Sequence, residues 1–365
     1  MKLTNSPAIL AIATAVPTVA INQEQYVVFV GKLLDLNAQQ YSIMQRFAQR
    51  SEIKNRHTVI QDFCKERPDW TFFDAASSSQ FPSTHKRNEL YKIQAPKLSF
   101  KAAHAAIRQW GRSASDLSHV IYASCTGLMA PGIEFLLLHE LGLKSSTQRL
   151  AINFMGCFGA FRALAVAKAL AEQDHNNRIL IVCTELCSLH MQPDQKLDTI
   201  IGNALFADGS AAMIVGVPNS AQEKPLWEIV NSASAVIENS PDAMTWDISN
   251  HGFIMRLSAE VPQYLAYAIK SFARSLLNSE LNFADADWPI HPGGKAVLTS
   301  IEQACQLDRA QTSSSWDVLA NYGNMSSASF PFVIKHCYEH GILPWAVGLG
   351  FGPGLSVEGV LLKRL

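Results

Sequence analysis

An α/β fold made of two similar halves is what this sequence predicts, and three observations carry the prediction. Short apolar runs alternate with longer stretches of helical spacing. One order of motifs occurs twice along the 365 residues. Charged residues make up only 17% against 48% hydrophobic, which calls for a large core and for buried subunit surface beside it.

The first apolar stretch, Ala8 to Val16, has two readings. A lysine before it and small residues after it resemble a secretory leader, but Pro7 and the single Lys make a poor charged flank. A buried strand ending at Pro17 is the better reading. Residues 22–58 and 88–112 carry helical spacing, the latter through Phe100, Ala103, Ile107 and Trp110. Buried strands are expected at 119–127, 178–186, 210–217 and 354–362, with helices between several of them.

The repeat is more informative than any one element. A buried strand ending at Cys125 precedes NFMGCFGAF (153–161) and ALFADGSAAMIV (204–215); WPIHPGGKAVL (288–298) precedes NYGNMSSAS (321–329) and GFGPGLSVEGVL (350–361). Cys157 follows Cys125 by 32 residues and Asn324 follows His291 by 33. Two halves, 1–220 and 221–365, are expected, with the boundary near 218–228.

Composition excludes several classes. A net charge of −1 and a pI near 6.8 leave no basic excess for coating nucleic acid. Seven cysteines, an odd number, read as reduced thiols of a cytosolic protein. No apolar run approaches the roughly 18 residues of a membrane span. Cys183, Cys187 and His190 hint at a metal, but 187 and 190 point to opposite faces of a strand and no second pair completes a site, so no metal is expected. The glycine run from Gly348 to Gly354 does not match a dinucleotide fingerprint.

Three residues carry chemistry. Cys157 precedes FRALAVAKALAEQ, a helix apolar on nearly every side and therefore buried. Gly156 and Gly159 permit a tight turn that sets the sulfur at the helix N-terminus, where the macrodipole favours thiolate; an inert packed cysteine is the alternative. His291 is held extended by Pro292, with Gly293 and Gly294 leaving room for close approach; a core histidine is the alternative. Asn324 takes, in its half, the place of Cys157. A pseudo-twofold axis would bring thiolate, imidazole and amide together, a trio suited to acyl transfer. Arg46, Arg50 and Lys54, spaced by four with Arg56 behind, form either a solvated face or a grip for ligand phosphates; spacing alone favours the former.

At GCFGAF around Cys157, HPGG at 291–294, GNMSSAS at 323–329 and GFGPG at 350–354, the sequence resembles the type III polyketide synthases, the chalcone synthase-like branch of the thiolase superfamily. The likeness runs over nearly the whole chain. It implies a thiolase-like five-layered αβαβα fold, a homodimer, and a decarboxylative Claisen condensation using coenzyme A thioesters and no separate cofactor. Cys157 would take the acyl-CoA starter. His291 and Asn324 would donate hydrogen bonds to the malonyl-CoA thioester oxygen as carbon dioxide leaves. Phe206 matches a gatekeeper phenylalanine. Arg46 and Arg50 match basic positions that contact coenzyme A, with Gly293, Ala296 and Ser326 as further contacts, and a third basic position falls at Ile43.

The departures concern specificity. A second gatekeeper aligns with Met255, a flexible residue that would admit longer acyl chains. Cys187 and His190 fall where plant enzymes carry cavity threonines, and the 125–132 loop is shorter than its plant counterpart, which reaches towards the partner subunit. These features suggest a bacterial-type member with an alkylpyrone or alkylresorcinol product from a fatty acyl starter. Rival readings are a ketoacyl-carrier-protein synthase III with one condensation, a Cys–His–Asn hydrolase, and a non-catalytic scaffold. A hydroxymethylglutaryl-CoA synthase would need a glutamate near the cysteine, and no residue marks one in the sequence.

Overall fold

The apolar stretch at the start of the chain becomes the hub of a sheet. In the computed structural model, which describes residues 5–73, 81–192, 197–238 and 240–365, strand β1 (Ala8–Ala15) is almost wholly buried and pairs on both sides. A short strand β2 (Val19–Asn22) follows. Residues 22–58, read as helical, divide into α1 (Gln23–Leu33), α2 (Ala38–Arg50) and a strand, β3 (Asn55–Thr58), that pairs with β2. The division has local causes. Asn22 and Asn37 each close a capping box with Gln25 and Gln40, satisfying the first free N–H groups. Asp35, at φ +47, turns the chain between the two helices. The long helix α3 (Thr84–Trp110) is capped by Ser83 and ends on Gly111 at φ +78.

The first half continues through β4 (His119–Ser124), α4 (Ile133–Glu140), β5 (Gln148–Asn153), α5 (Gly159–Gln173), β6 (Arg178–Leu186), α6 (Leu197–Asn203) and β7 (Asp208–Gly216). The second runs from β8 (Trp227–Val236) through β9 (Met244–Ser249), β10 (Gly252–Leu257), α7 (Val261–Leu276), β11 (Ala286–Asp287), α8 (Lys295–Cys305), α9 (Ser313–Tyr322) and α10 (Ser329–His340) to β12 (Trp345–Gly352) and β13 (Ser356–Arg364). The main sheet has the order β11-β12-β13-β8-β1-β7-β6-β4-β5.

Read outward from the centre, the halves are β1-β7-β6-β4-β5 and β8-β13-β12-β11. In each, the first strand pairs antiparallel with the last, the last antiparallel with the one before it, and that one parallel with an earlier strand. One topology is therefore used twice. The copies join where β1 meets β8, through Ala8–Glu228 and Ile9–Trp227. In the second half α9 precedes the turn that β5 precedes in the first.

Three apolar cores separate five layers. One packs α1, α3 and α4 against the first half-sheet, one encloses α5 and α10 between the half-sheets, and one packs α7 and α8 against the second. The Ala-rich helix after Cys157 lies in the central layer, as its apolar character on nearly every side requires.

The glycine run in β12 belongs to this middle layer. A Cβ on Gly348 would strike the Phe330 ring, one on Gly350 would lie 2.2 Å from the Phe161 ring, and one on Gly352 would strike Phe158. Phe161 on α5 and Phe330 on α10 stack at 3.9 Å between centroids, across the pseudo-twofold. The glycines thus make room for aromatic rings. Gly350→Ala is expected to cost about 1–3 kcal/mol through overpacking, read as a lower midpoint of thermal unfolding; an unchanged midpoint would show that the ring has room to move.

Candidate active site

Two matching turns meet where the central helices begin. Gly156–Phe158 is a 3₁₀ turn with Cys157 at its centre, leading into α5; Ser326–Ala328 is a 3₁₀ turn with Ser327 at its centre, leading into α10. The residue before each centre has positive φ, +69 at Gly156 and +48 at Ser326. The structural counterpart of Cys157 is therefore Ser327, and Asn324 lies three residues earlier, matching Phe154. The repeat located the right elbow but not its register, because backbone dihedrals and not residue type define the correspondence.

Asn324 is tied down on both sides. Its N–H donates to Leu205 O at 2.9 Å, and its carbonyl accepts from Ala207 N at 2.8 Å. Its side-chain Oδ1 accepts from Ser326 N at 2.8 Å, which leaves the NH2 group free to donate. Both Asn324 and Ser326 hydrogen-bond to Cys157 through their side chains. His291 donates its backbone N–H to Leu349 O at 2.7 Å, three residues before Gly352, which packs on Phe158. On its other side Gly294 packs on Leu205, next to Phe206. The imidazole is buried, and neither ring nitrogen has a hydrogen-bond partner.

Burial governs the resting protonation. It pushes the Cys157 thiol up to about 12 and the His291 imidazole down to about 3. Desolvation thus opposes the thiolate that the helix N-terminus favours. An imidazolium formed by proton transfer from the thiol would offset this cost for both groups, and His291 is the residue expected to form it. Replacing His291 by alanine should accordingly slow iodoacetamide alkylation of Cys157 at pH 7 by at least about tenfold and move the alkylation profile to higher pH, read by peptide mass mapping. An unchanged profile would remove His291 from thiol activation.

A carboxylate that sequence reasoning missed also lies here. Glu185, fully buried in β6, accepts hydrogen bonds from Cys125 N at 3.0 Å, Thr126 Oγ1 at 2.7 Å, the Cys125 thiol at 3.4 Å and Ser327 Oγ. Burial still raises its pKa. A glutamate near the cysteine, which no residue of the sequence marked, is thus present, although protein donors surround it. Its signal was one carboxylate inside the apolar run RILIVCTEL. Ser326, expected to contact coenzyme A, lines the cavity beside Cys157, its Oγ 3.2 Å from the Cys125 sulfur.

The gate and cavity residues converge. Phe206, Met255 and Cys187 line the space against Cys157, and His190 joins them in the adjoining cavity. Cys187 and His190 share a 3₁₀ turn after β6, not a strand as the metal argument supposed. His190 Nδ1 accepts from Phe253 N at 3.0 Å, so Nε2 carries the proton it donates to Thr126 O at 2.7 Å.

The proposed coenzyme contacts are more dispersed. Gly293 lies beside His291, where a Cβ would come within 3.7 Å of the ring. Arg46 and Arg50 are exposed on α2, and Ala296 is exposed on α8. Arg56 departs from its neighbours: buried, it donates to Phe206 O at 3.0 Å and stacks over Tyr26. It is a strut behind Phe206.

A buried thiol, an oriented amide and an unpaired imidazole at the junction of two duplicated α/β halves define an acyl-transferring condensing enzyme. The comparisons with known proteins agree. The family profile for chalcone and stilbene synthases, N-terminal domain, matches residues 3–219, and the C-terminal domain profile matches 228–365. "Probable polyketide synthase 1" of Dictyostelium discoideum is 33% identical over the whole chain, which spans only 12% of that protein. The crystal structure of the C-terminal type III polyketide synthase domain of Steely1, a type I/III hybrid from Dictyostelium, superposes with a TM-score of 0.93 at 33% identity, covering 99% of each chain. PKS-I from the brown alga Ectocarpus siliculosus superposes at 0.92 with 29% identity over all of both chains. The chain belongs to the chalcone and stilbene synthase family and is a type III polyketide synthase, with the thiolase-like fold.

Proposed function

We propose that the protein loads an acyl group from a coenzyme A thioester onto Cys157, extends it with malonyl-CoA by decarboxylative condensation, and closes the product into a ring. The observation that carries this reading is the Asn324 side chain, whose oxygen is occupied by Ser326 N and whose NH2 group is directed to the sulfur. Thiol transfer of the starter releases free coenzyme A. Malonyl then binds with its thioester oxygen between Asn324 and the His291 N–H. Loss of carbon dioxide leaves an enolate whose charge those donors stabilise. The enolate carbon attacks the Cys157 thioester carbonyl, the carbon–sulfur bond breaks, and the chain passes to the extender's coenzyme A.

Decarboxylation supplies the nucleophile, so the step needs no base to remove a carbon-bound proton. Arg46, Arg50, Gly293 and Ala296 would hold the coenzyme arm, and no further cofactor enters this sequence of steps. Strand β5 is an exposed edge and suits pairing with a second copy. No helix among the described residues is long and apolar enough to cross a membrane, in keeping with the cytosolic setting that the thiols suggest. Labelled malonyl-CoA supplied with a panel of acyl-CoA starters, with products identified by mass, tests the scheme. Absence of condensation with every starter would overturn it, and preference for malonyl-carrier protein would favour the single-condensation alternative.

A further inference from the structure

Asn324 hangs on one short segment of chain, residues 204–207. Its N–H donates to Leu205 O and its carbonyl accepts from Ala207 N, so that residues 206 and 324 pair as an isolated parallel bridge. The far side of the same segment is held by one side chain. Arg56 Nη1 donates to Phe206 O at 3.0 Å, and its Nη2 donates to Ala204 O. The Phe206 carbonyl and the Ala207 N–H belong to one peptide plane. That plane joins the guanidinium on one side to the Asn324 carbonyl on the other.

The guanidinium is itself framed by α1. It lies over the Tyr26 ring at 4.0 Å from the centroid, and its Nη2 also donates to Gln23 Oε1. Gln23 Nε2 donates to Ser51 Oγ at 3.3 Å, and Tyr26 OH donates to Asn203 O. Arg56 is only 2% exposed, and among the described residues no carboxylate forms an ion pair with it. A buried cation of this kind is costly. Its charge is met by carbonyl oxygens, in hydrogen bonds stronger than those between neutral groups. Packing leaves the segment little slack. A Cβ on Gly323, which has φ +67, would lie 3.1 Å from Leu205 O and 3.9 Å from Arg56 Cβ. The Asn324 side-chain oxygen is taken by Ser326 N, so the direction of its NH2 group follows the backbone that Arg56 holds from behind.

Resting on the polyketide synthase reading, we propose that Arg56 is a positioning residue for decarboxylation: through the Phe206–Ala207 peptide it holds Asn324 where the NH2 group meets the malonyl thioester oxygen. Misplacing a donor by about 1 Å costs on the order of a hundredfold in rate, so a rigid support behind the amide has a kinetic consequence. Starter loading does not share this dependence. Cys157 stands in the turn before α5, and that turn makes none of these hydrogen bonds. Burial thus separates Arg56 from Arg46, Arg50 and Lys54, with which its place in the sequence groups it.

The test measures two rates separately: acylation of Cys157 by acyl-CoA starters, read by intact-protein mass, and release of labelled carbon dioxide from malonyl-CoA. Arg56→Met keeps an unbranched side chain and removes every donor; Arg56→Lys keeps the charge and loses the planar fork. Arg56→Met should lower decarboxylation by about tenfold or more, and Arg56→Lys by less, while acylation keeps its rate. Because Arg56 acts through Asn324, adding Arg56→Met to Asn324→Ala should lower decarboxylation no further. A merely structural residue would lower both rates alike and would add its own loss in the double variant. Either result would overturn the proposal, as would undiminished decarboxylation in folded Arg56→Met. Where only Arg56→Lys folds, the same comparison of its two rates decides, and failure of both variants to fold would make Arg56 a folding residue only. Release of labelled carbon dioxide by the unmodified protein reports separately on the polyketide reading. Its absence with every starter would sink that reading, whereas release that persists undiminished in the variants sinks only the inference about Arg56.

Discussion

Cys157→Ala is expected to abolish condensation, lowering labelled product from any acyl-CoA and malonyl-CoA pair by at least about four orders of magnitude. In the proposed scheme the sulfur is the acyl acceptor, and neither remaining thiol of the cavity is placed to replace it. Cys125 donates to Glu185 and Cys187 is buried beyond it, and burial together with the Glu185 charge holds both thiols well above the usual cysteine range. Decarboxylation of malonyl-CoA should persist, because Asn324 and His291 are untouched. Intact-protein mass distinguishes the cases: the variant should carry no acyl adduct after incubation with starter. An adduct on the variant would identify another nucleophile, and undiminished product would remove Cys157 from the reaction.

Asn324→Ala should give the complementary result. Loading of Cys157 should continue, while decarboxylation falls about a hundred- to thousand-fold, the usual consequence of removing one donor from an oxyanion site, or about 3–4 kcal/mol of barrier. The substitution also leaves Ser326 N without its acceptor, so a second variant is needed to separate donation from support. Asn324→Asp retains the oxygen that holds the turn and loses the NH2 donor. Loss of decarboxylation in both variants assigns the effect to donation; activity retained in Asn324→Asp would make Asn324 a support for the turn only.

The architecture was largely legible in the sequence. β6 occupies 178–186 as expected, and β1, β4, β7 and β13 lie within two or three residues of their predicted bounds. Full burial writes a continuous apolar run, and a run is readable without neighbours. The segment 22–58 was less legible, because the strand β3 is four residues long and follows two helices with only Asn caps to divide them. Cys157, His291 and Asn324 stood out as candidates from glycine- and proline-bounded elbows in a shared order, and resemblance suggested their chemistry. The register of the repeat was not legible, since Ser326 adopts the positive φ that Gly156 supplies in the other half.

Sequence by itself determined the class of protein: two copies of an α/β half, three candidate residues in glycine- and proline-bounded turns, and no charge excess to invite a polyanionic partner. The tertiary structure alone decided what surrounds them. Glu185 in β6, Cys125 after β4 and the Ser326–Ser327 turn before α10 come from three separate places and form a buried polar cluster only after the halves close. Trp246, which lines the cavity against Cys157, reaches it from a hairpin 89 residues further along the chain. Periodicity records which face of an element is apolar, a property of neighbouring residues. Cavity depth and protonation depend on which distant side chains share one small volume, and only the packed chain brings those together.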